Sequence, residues 1–330
     1  MSSIEKHKQI ISLLADGEFH SGTELARVMG VSRSAIWKQL NSLSELGLDY
    51  SGVRGKGYRL SKPLELLTQD AIIEALHDQA AKRVSLIEIH DQINSTNSYL
   101  LGLAQQGAPT GMVCLAERQT AGKGRRGRQW ISPFGCNIYL SILWRFQKNG
   151  LAALSGLSLA AGVAVIRALY QFGIFQVGLK WPNDLMSQGK KLGGILVEVS
   201  GESDGPCLAV IGLGLNLSMP EHQASQISQP WTDLTRLTGQ KRIPRNQLIA
   251  ALLNQFLPLI ADYEESGIEA FVDEWRCYDC LYNKPISLIL GGRQIQGIAA
   301  GIDDRGMLAV KLSDGTEQFF ASGEVSFSSE

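Results

Sequence analysis

QVGLKWPNDLMSQGKKLGGILVEVS, Gln176–Ser200, carries the reading from which the fold follows. Apolar runs at either end flank a polar middle, so it reads as strand, turn and strand, and PCLAVIGLGLNLS (Pro206–Ser218) adds a third strand after it. Lys180 and Asp184 bracket a Trp-Pro-Asn turn in which Pro182 sets the bend, so both polar side chains can point one way. Lys191 begins the next strand, where Gly193 and Gly194 allow close backbone approach, and Asn216 ends the strand after that. Two lysines, an aspartate and an asparagine at neighbouring strand ends are hard to explain as surface decoration. They point to a site.

Upstream, the strands MVCLAERQ and NIYLSILW enclose TAGKGRRGRQWISPFG, Thr120–Gly135. Connections of that length without structure of their own tend to be functional. Lys123, Arg125, Arg126 and Arg128 alternate with Gly122, Gly124 and Gly127, so guanidiniums can fork onto phosphate or carboxylate oxygens while the backbone passes close to a ligand. Trp130 can lie against a flat ring. No Lys-Ser/Thr follows the last glycine, so this is not a P-loop. Before it, VSLIEIHDQI reads as a strand and STNSYLLGLA as a helix with Ser95 and Thr96 at its N-terminus, where free N–H groups favour anionic or polar ligands. Taken alone, that feature is better read as an ordinary N-cap.

The first sixty residues have another cadence. Ile10, Ile11, Leu13 and Leu14 give one apolar helical face; Ser21 and Ser32 can each cap a short helix, and Met-Gly-Val-Ser joins the two, a helix-turn-helix pattern. Ser32, Arg33, Ser34, Trp37, Lys38 and Asn41 then lie on or near the face that meets base edges in a major groove. LDYSGVRGKGYRL reads as a two-stranded wing with Arg54 and Lys56 at its tip, suited to phosphates. SKPLELLT looks like a linker. At the other end, RNQLIAALLNQFLPLIADYEESGIEAFVDEW reads as helix with Pro258 marking a kink, and from Lys284 short strands alternate with turns.

Lys+Arg 31 against Asp+Glu 32 excludes a globally basic protein, so nucleic-acid contact must come from a local patch. The most apolar stretch, LAALSGLSLAAGVAVI from Leu151, is shorter than a bilayer span and reads as a buried helix, so no membrane partner is expected. Five scattered cysteines, with Cys277-x-x-Cys280 one turn apart on a helical reading, lack a second pair for zinc and fit a reduced, cytoplasmic protein.

Taken in order, STN, GKGRRGRQW, KWPNDL, KKLGGILVE and VIGLGLN resemble the motifs of biotin protein ligases. The helix-turn-helix is similar to that of the bifunctional subgroup, whose members also repress the biotin operon. The resemblance covers nearly the whole chain. It implies an α+β multidomain architecture: a winged helix-turn-helix over 1–64, a central mixed-sheet ligase domain of the class II synthetase type over 65–275, and an SH3-like small β-barrel over 276–330. It implies formation of biotinyl-5′-AMP from biotin and ATP with Mg²⁺, then transfer of biotin to a lysine of the carboxyl carrier protein of acetyl-CoA carboxylase. It also implies a homodimer on a palindromic operator, with the adenylate as corepressor.

By position, Ser95, Thr96, Asn97 and Gln119 resemble the residues that hold biotin, and Lys123, Gly124 and Arg125 the loop that folds over it. Lys123 stands where some members carry Arg, exchanging a fork for a point charge. Lys191 matches the contact to the biotin carboxylate and α-phosphate. Lys180, Asn183 and Asp184 match the phosphate and metal side, with Asp184 as a candidate Mg²⁺ contact and no dedicated metal cage. Arg128, Trp130, Asn216 and Trp231 match adenylate contacts. A lipoate ligase and a non-catalytic biotin sensor are the alternatives.

Overall fold

The computed structural model describes residues 3–148, 150–201, 203–239 and 242–328. The chain opens with α1 (Ser3–Leu14), α2 (Gly22–Met29) and α3 (Arg33–Ser42), followed by the wing hairpin β1 (Tyr50–Val53) and β2 (Gly57–Leu60). Ser21 Oγ accepts the Glu24 amide at 3.0 Å and Ser32 Oγ the Ala35 amide at 3.2 Å, so both expected caps form. Gly30 ends α2 at φ +64°, a conformation that favours glycine. Ile10, Leu14, Leu25, Ile36 and Leu40 form the core of this unit together with Phe134 from far along the chain.

The expected linker is ordered and stitched down. Leu67 is buried, its amide donating to Glu117 Oε1 at 2.6 Å, and the Thr68 amide donates to Asn246 Oδ1 at 2.9 Å. After α4 (Gln69–Glu74) and α5 (Asp78–Ala81) come β3 (Leu86–His90), α6 (Thr96–Gln105), β4 (Met112–Ala116), β5 (Ile138–Phe146) and α7 (Leu157–Tyr170). Then follow β6 (Gly178–Lys180), β7 (Asp184–Ser187), β8 (Lys190–Gly201), β9 (Cys207–Leu215), the short helices α8 (Glu221–Ala224) and α9 (Leu234–Leu237), α10 (Arg245–Ser266) and α11 (Glu269–Cys277). The seven strands make one mixed sheet in the order β3-β4-β5-β9-β8-β7-β6, with β3 and β4 parallel and the other pairs antiparallel. Alternate residues of β4 face opposite layers: Val113 and Leu115 join the main core with α7 and α10, and Met112 and Cys114 pack under α6. The central strands β4, β5 and β9 are covered on both faces and are buried along nearly their whole length.

Several expectations are corrected. The segment 176–200 holds three strands rather than two, because a Ser187–Lys190 hairpin at Gln188 and Gly189, both at positive φ, splits it. The 20 residues Leu151–Tyr170 are long and apolar enough to cross a membrane (mean hydropathy 1.8), but they are packed inside the core. Cys280 lies beyond α11: Leu179 N–H donates to Tyr278 O at 2.7 Å and Cys280 N–H to Leu179 O at 3.0 Å, adding that segment to edge strand β6. The helical reading of 245–275 holds, with Pro258, the residue expected to mark a kink, inside α10.

The C-terminal unit is a five-stranded antiparallel sheet, SH3-like, of β10 (Pro285–Leu290), β11 (Arg293–Ile302), β12 (Leu308–Lys311), β13 (Glu317–Phe320) and β14 (Glu324–Phe327), in the order β13-β12-β11-β10-β14. Strand β14, beyond the expected set, brings Glu324 and Val325 to the basic loop and to Lys180.

Candidate active site

The site begins at the N-terminus of α6, where Ser95, Thr96 and Asn97 are all buried. Ser95 Oγ accepts the Ser98 amide, the ordinary N-cap. The Thr96 amide donates to Gln119 Oε1 at 2.9 Å, fixing that glutamine. The Thr96 hydroxyl lies 3.1 Å from the same oxygen and 2.7 Å from the Ser141 hydroxyl, and the Ser141 hydroxyl donates to Asn97 Oδ1 at 2.6 Å. Asn97 Nδ2 donates to Leu196 O and Glu198 Oε2, at 3.2 and 2.8 Å. The Asn97 amide is therefore committed to the protein, and it shapes the pocket wall rather than offering a free hydrogen bond. Gly212 of β9 is required here because a Cβ would overlap Asn97 Oδ1. Ser141 and Glu198 were not picked out from sequence; they stand on separate strands, β5 and β8, with no local signal.

Opposite this polar wall, the turn after β6 and the start of β8 bring three charges together. Lys191 Nζ lies 2.6 Å from Asp184 Oδ1 and Lys180 Nζ 3.0 Å from Asp184 Oδ2. Burial would raise the Asp184 carboxyl, but the two ammoniums overcome it and hold the group below its ordinary value. Both its oxygens are engaged by cations, which disfavours a metal there, and no cluster of three His, Cys, Asp or Glu exists among the described residues. Asn183 Nδ2 donates to Ile195 O at 2.7 Å, which turns Oδ1 toward Arg125.

The basic loop folds over this cleft as a hairpin of its own. Gly124 N–H donates to Arg128 O at 2.7 Å and Trp130 N–H to Gly122 O at 2.8 Å, with Arg126 at φ +56° at the tip. Arg125 donates to Asn183 Oδ1 at 3.1 Å and to Gly323 O at 3.2 Å. Burial and the adjacent Arg126 push its guanidinium pKa down, while Asp184 acts the other way. Glu324 pairs with Arg128 and, at 3.6 Å, with Arg126, and Lys180 Nζ donates to Val325 O at 3.2 Å, so the C-terminal unit closes one side of the site. Sequence gave no sign of Glu324, some two hundred residues from the loop. Lys123 and Gly124 line the same cleft.

Trp130 divides this cleft from a second one. Its ring rests on Gly214, where a Cβ would sit 2.5 Å away, its Nε1–H is buried without a partner, and Lys191 Nζ is 5.7 Å from the ring centroid. The adjoining cleft is lined by Arg128, Lys191, Asn216 and Trp231. Trp231 is there because its segment pairs with the backbone of Lys191: Lys191 N–H donates to Pro230 O and Thr232 N–H to Lys191 O, each at 2.9 Å. Asn216 Nδ2 donates to Thr232 O at 3.1 Å, leaving Oδ1 a buried acceptor without a donor. All fifteen expected ligand residues thus border these two joined clefts.

In the winged-helix unit, Ser32, Arg33, Ser34, Trp37 and Lys38 are exposed on or at the start of α3, Trp37 by 57%, and Arg54 and Lys56 are exposed at the wing tip around Gly55 (φ +83°). Asn41 differs: it is half-buried, and its Oδ1 accepts the Tyr50 hydroxyl at 2.7 Å, bracing the wing against α3.

Comparison with known proteins agrees with this division. The Biotin/lipoate A/B protein ligase family model matches residues 89–216, an HTH domain matches 6–59, and the biotin protein ligase C-terminal domain matches 282–328. The chain is 39% identical to the bifunctional ligase/repressor BirA of Escherichia coli K12 over 97% of both proteins. It is 31% identical to the protein of the same name from Bacillus subtilis, covering 96% of this chain and 97% of that one. The structure of the Aquifex aeolicus biotin protein ligase in complex with biotin and ATP superposes with a TM-score of 0.61 at 24% identity, covering 74% of this chain and all of the other.

Proposed function

The chain belongs to the biotin/lipoate A/B protein ligase family, and from that premise we propose that it is an ATP-dependent biotin protein ligase that also represses transcription when loaded with its own biotinyl-adenylate. The observation that carries the chemistry is the Lys180–Asp184–Lys191 cluster facing a loop with four cations across one cleft. A biotin carboxylate oxygen attacks the α-phosphorus of ATP, pyrophosphate leaves, and a carrier lysine amine then attacks the acyl carbon and expels AMP. The obstacle in the first step is anion against anion, and fixed cations offset it. Lys191, held by Asp184, contacts the carboxylate and the α-phosphate; Lys180, Asn183, Arg125 and Arg128 serve the phosphate side. Ser95, Thr96, Gln119, Lys123 and Gly124 hold biotin, with Asn97 positioning them.

Asn216 Oδ1, a lone acceptor, suits an amine or hydroxyl of the nucleoside beside Trp130 and Trp231. With both Asp184 oxygens paired to lysines, Mg²⁺ would be held mainly by the triphosphate of the substrate and would supply further charge neutralisation there. The carrier is the biotin carboxyl carrier protein of acetyl-CoA carboxylase, and the DNA is a palindromic biotin operator gripped by a homodimer through Arg33, Lys38, Arg54 and Lys56. The units are set at 1–64, 65–275 and 276–330. Five free cysteines suit a cytoplasmic setting. The test is ATP–pyrophosphate exchange by the purified protein: exchange dependent on biotin and not on lipoate supports the reading. No exchange refutes catalysis, and exchange with lipoate alone refutes the substrate.

A further inference from the structure

The adenylate-side cleft carries a feature that neither the loop motif nor the strand-end cluster accounts for. The guanidinium of Arg236 stacks on the Trp231 ring with its carbon 3.9 Å from the centroid, the shortest such contact among the described residues. Trp231 lines the cleft and Arg236 does not, so the guanidinium backs the ring on the side away from the cleft. Arg236 is itself held on three sides. Its amide donates to Asp233 Oδ1 at 2.8 Å, its Nε is 3.5 Å from Asp233 Oδ2, and its Nη2 pairs with Glu221 of α8. Asp233 is 3% exposed and also accepts the Met219 amide at 3.2 Å, so it is a fixed anchor.

The backbone of Trp231 is placed by its pairing with Lys191, but that pairing leaves the indole free to turn about its side-chain torsions. Among the described contacts, Arg236 is what fixes the ring plane. A ring already in place adds stacking to an incoming base without the cost of ordering it at that moment. An arginine behind the ring supplies a planar partner, which a lysine ammonium does not.

We infer that Arg236 is a positioning residue of the nucleotide subsite: it holds Trp231 in the orientation that receives the adenine ring of ATP and of the adenylate. This rests on the ligase reading above. It acts through Trp231 and touches no reacting atom, so it governs nucleotide affinity and leaves the chemical step alone. It also links that subsite to α8, the base of the lip formed by Gln226–Gln229.

The test is steady-state biotin-dependent ATP–pyrophosphate exchange by the full-length protein and by Arg236→Ala, Trp231→Ala and the double variant. Wild-type exchange establishes the reading on which the inference rests, and its absence overturns that reading alone. With exchange present, Arg236→Ala raises KM for ATP about fivefold, equivalent to ~1 kcal/mol at 1.4 kcal/mol per decade, with kcat and the KM for biotin unchanged. In the Trp231→Ala background the Arg236→Ala penalty disappears. Arg236→Lys behaves like Arg236→Ala, because the ammonium lacks the planar stack. An unchanged KM for ATP, an equal penalty with and without Trp231, a parallel loss of kcat and biotin affinity, or full rescue by lysine would each overturn the assignment.

Discussion

Lys191 concentrates the chemistry because its half-buried ammonium is held against one carboxylate while facing two clefts that share it. Replacing it by alanine removes the cation between the carboxylate and the α-phosphate, and leaves Asp184 paired with Lys180 alone. Lys191→Ala is expected to lose about 10²-fold or more of pyrophosphate exchange, with the melting temperature close to wild type. Near-normal exchange would remove the residue from the mechanism. Arg125 is a closing contact, since it reaches both Asn183 and Gly323 from the loop. Arg125→Gly is expected to release biotinyl-adenylate about tenfold faster in a chase with unlabelled ligand; an unchanged off-rate would show that the loop does not retain it. These residues were legible because each sits in a short motif whose residue types are costly unless used. Asn97 was legible in place but not in role, because its saturation by Ser141, Leu196 and Glu198 comes from three other points of the fold.

Among the elements, the edge strand β6 shows where sequence pattern stops informing. Its three residues carry Lys180 at one end, and its free edge is covered by Tyr278–Cys280, a parallel extension that no local periodicity announces. Cys277 and Cys280 therefore mark a joint between the sheet and the C-terminal unit. Asp279 sits in that joint with Oδ1 accepting the Leu281 amide at 2.8 Å and Oδ2 buried without a partner. Burial pushes its carboxyl up to about 6, only partly opposed by the Leu281 and Tyr282 amides. A carboxyl raised on folding favours the folded state below its unfolded value, and that contribution is lost as pH rises through 6. At pH 8 the ionised group opposes folding, so Asp279→Asn, which keeps the Oδ1 acceptor, is expected to stabilise by up to ~2 kcal/mol there and by little at pH 4. Equal melting shifts at the two pH values would deny the ionised form that role.

At the scale of the whole molecule, the ligand loop and the DNA-binding unit share a core. Four residues beyond Trp130, Phe134 is 3% exposed inside the apolar cluster of the winged helix, packed with Leu64 and Leu66 of the connecting segment. That segment is bound in turn to Arg245, which donates to Glu65 O at 2.6 Å, to Glu117 Oε2 at 2.7 Å and to Asn137 O at 2.9 Å. Glu117 lies two residues before Gln119, and Asn137 Oδ1 accepts the Leu217 amide beside Asn216. Both subsites are thus one covalent step or two from groups that hold the winged helix in place. Sequence reading made the connection a linker and did not single out Phe134, since the partners lie some seventy to one hundred and eighty residues apart. If ordering of the loop is what informs the DNA-binding end, Phe134 is where the information crosses. Operator affinity should then rise with biotin plus ATP in the wild type, by the 5- to 150-fold typical of roughly 1–3 kcal/mol of coupling. Phe134→Leu keeps the cluster apolar but changes its shape, and is expected to shrink that rise while ATP–pyrophosphate exchange persists. Phe134→Ala adds a cavity costing about 3 kcal/mol and should lower the melting temperature as well. A gel-shift titration with and without biotin and ATP decides it: a full ligand response in Phe134→Leu would move the crossing point elsewhere, to the Arg245 cluster.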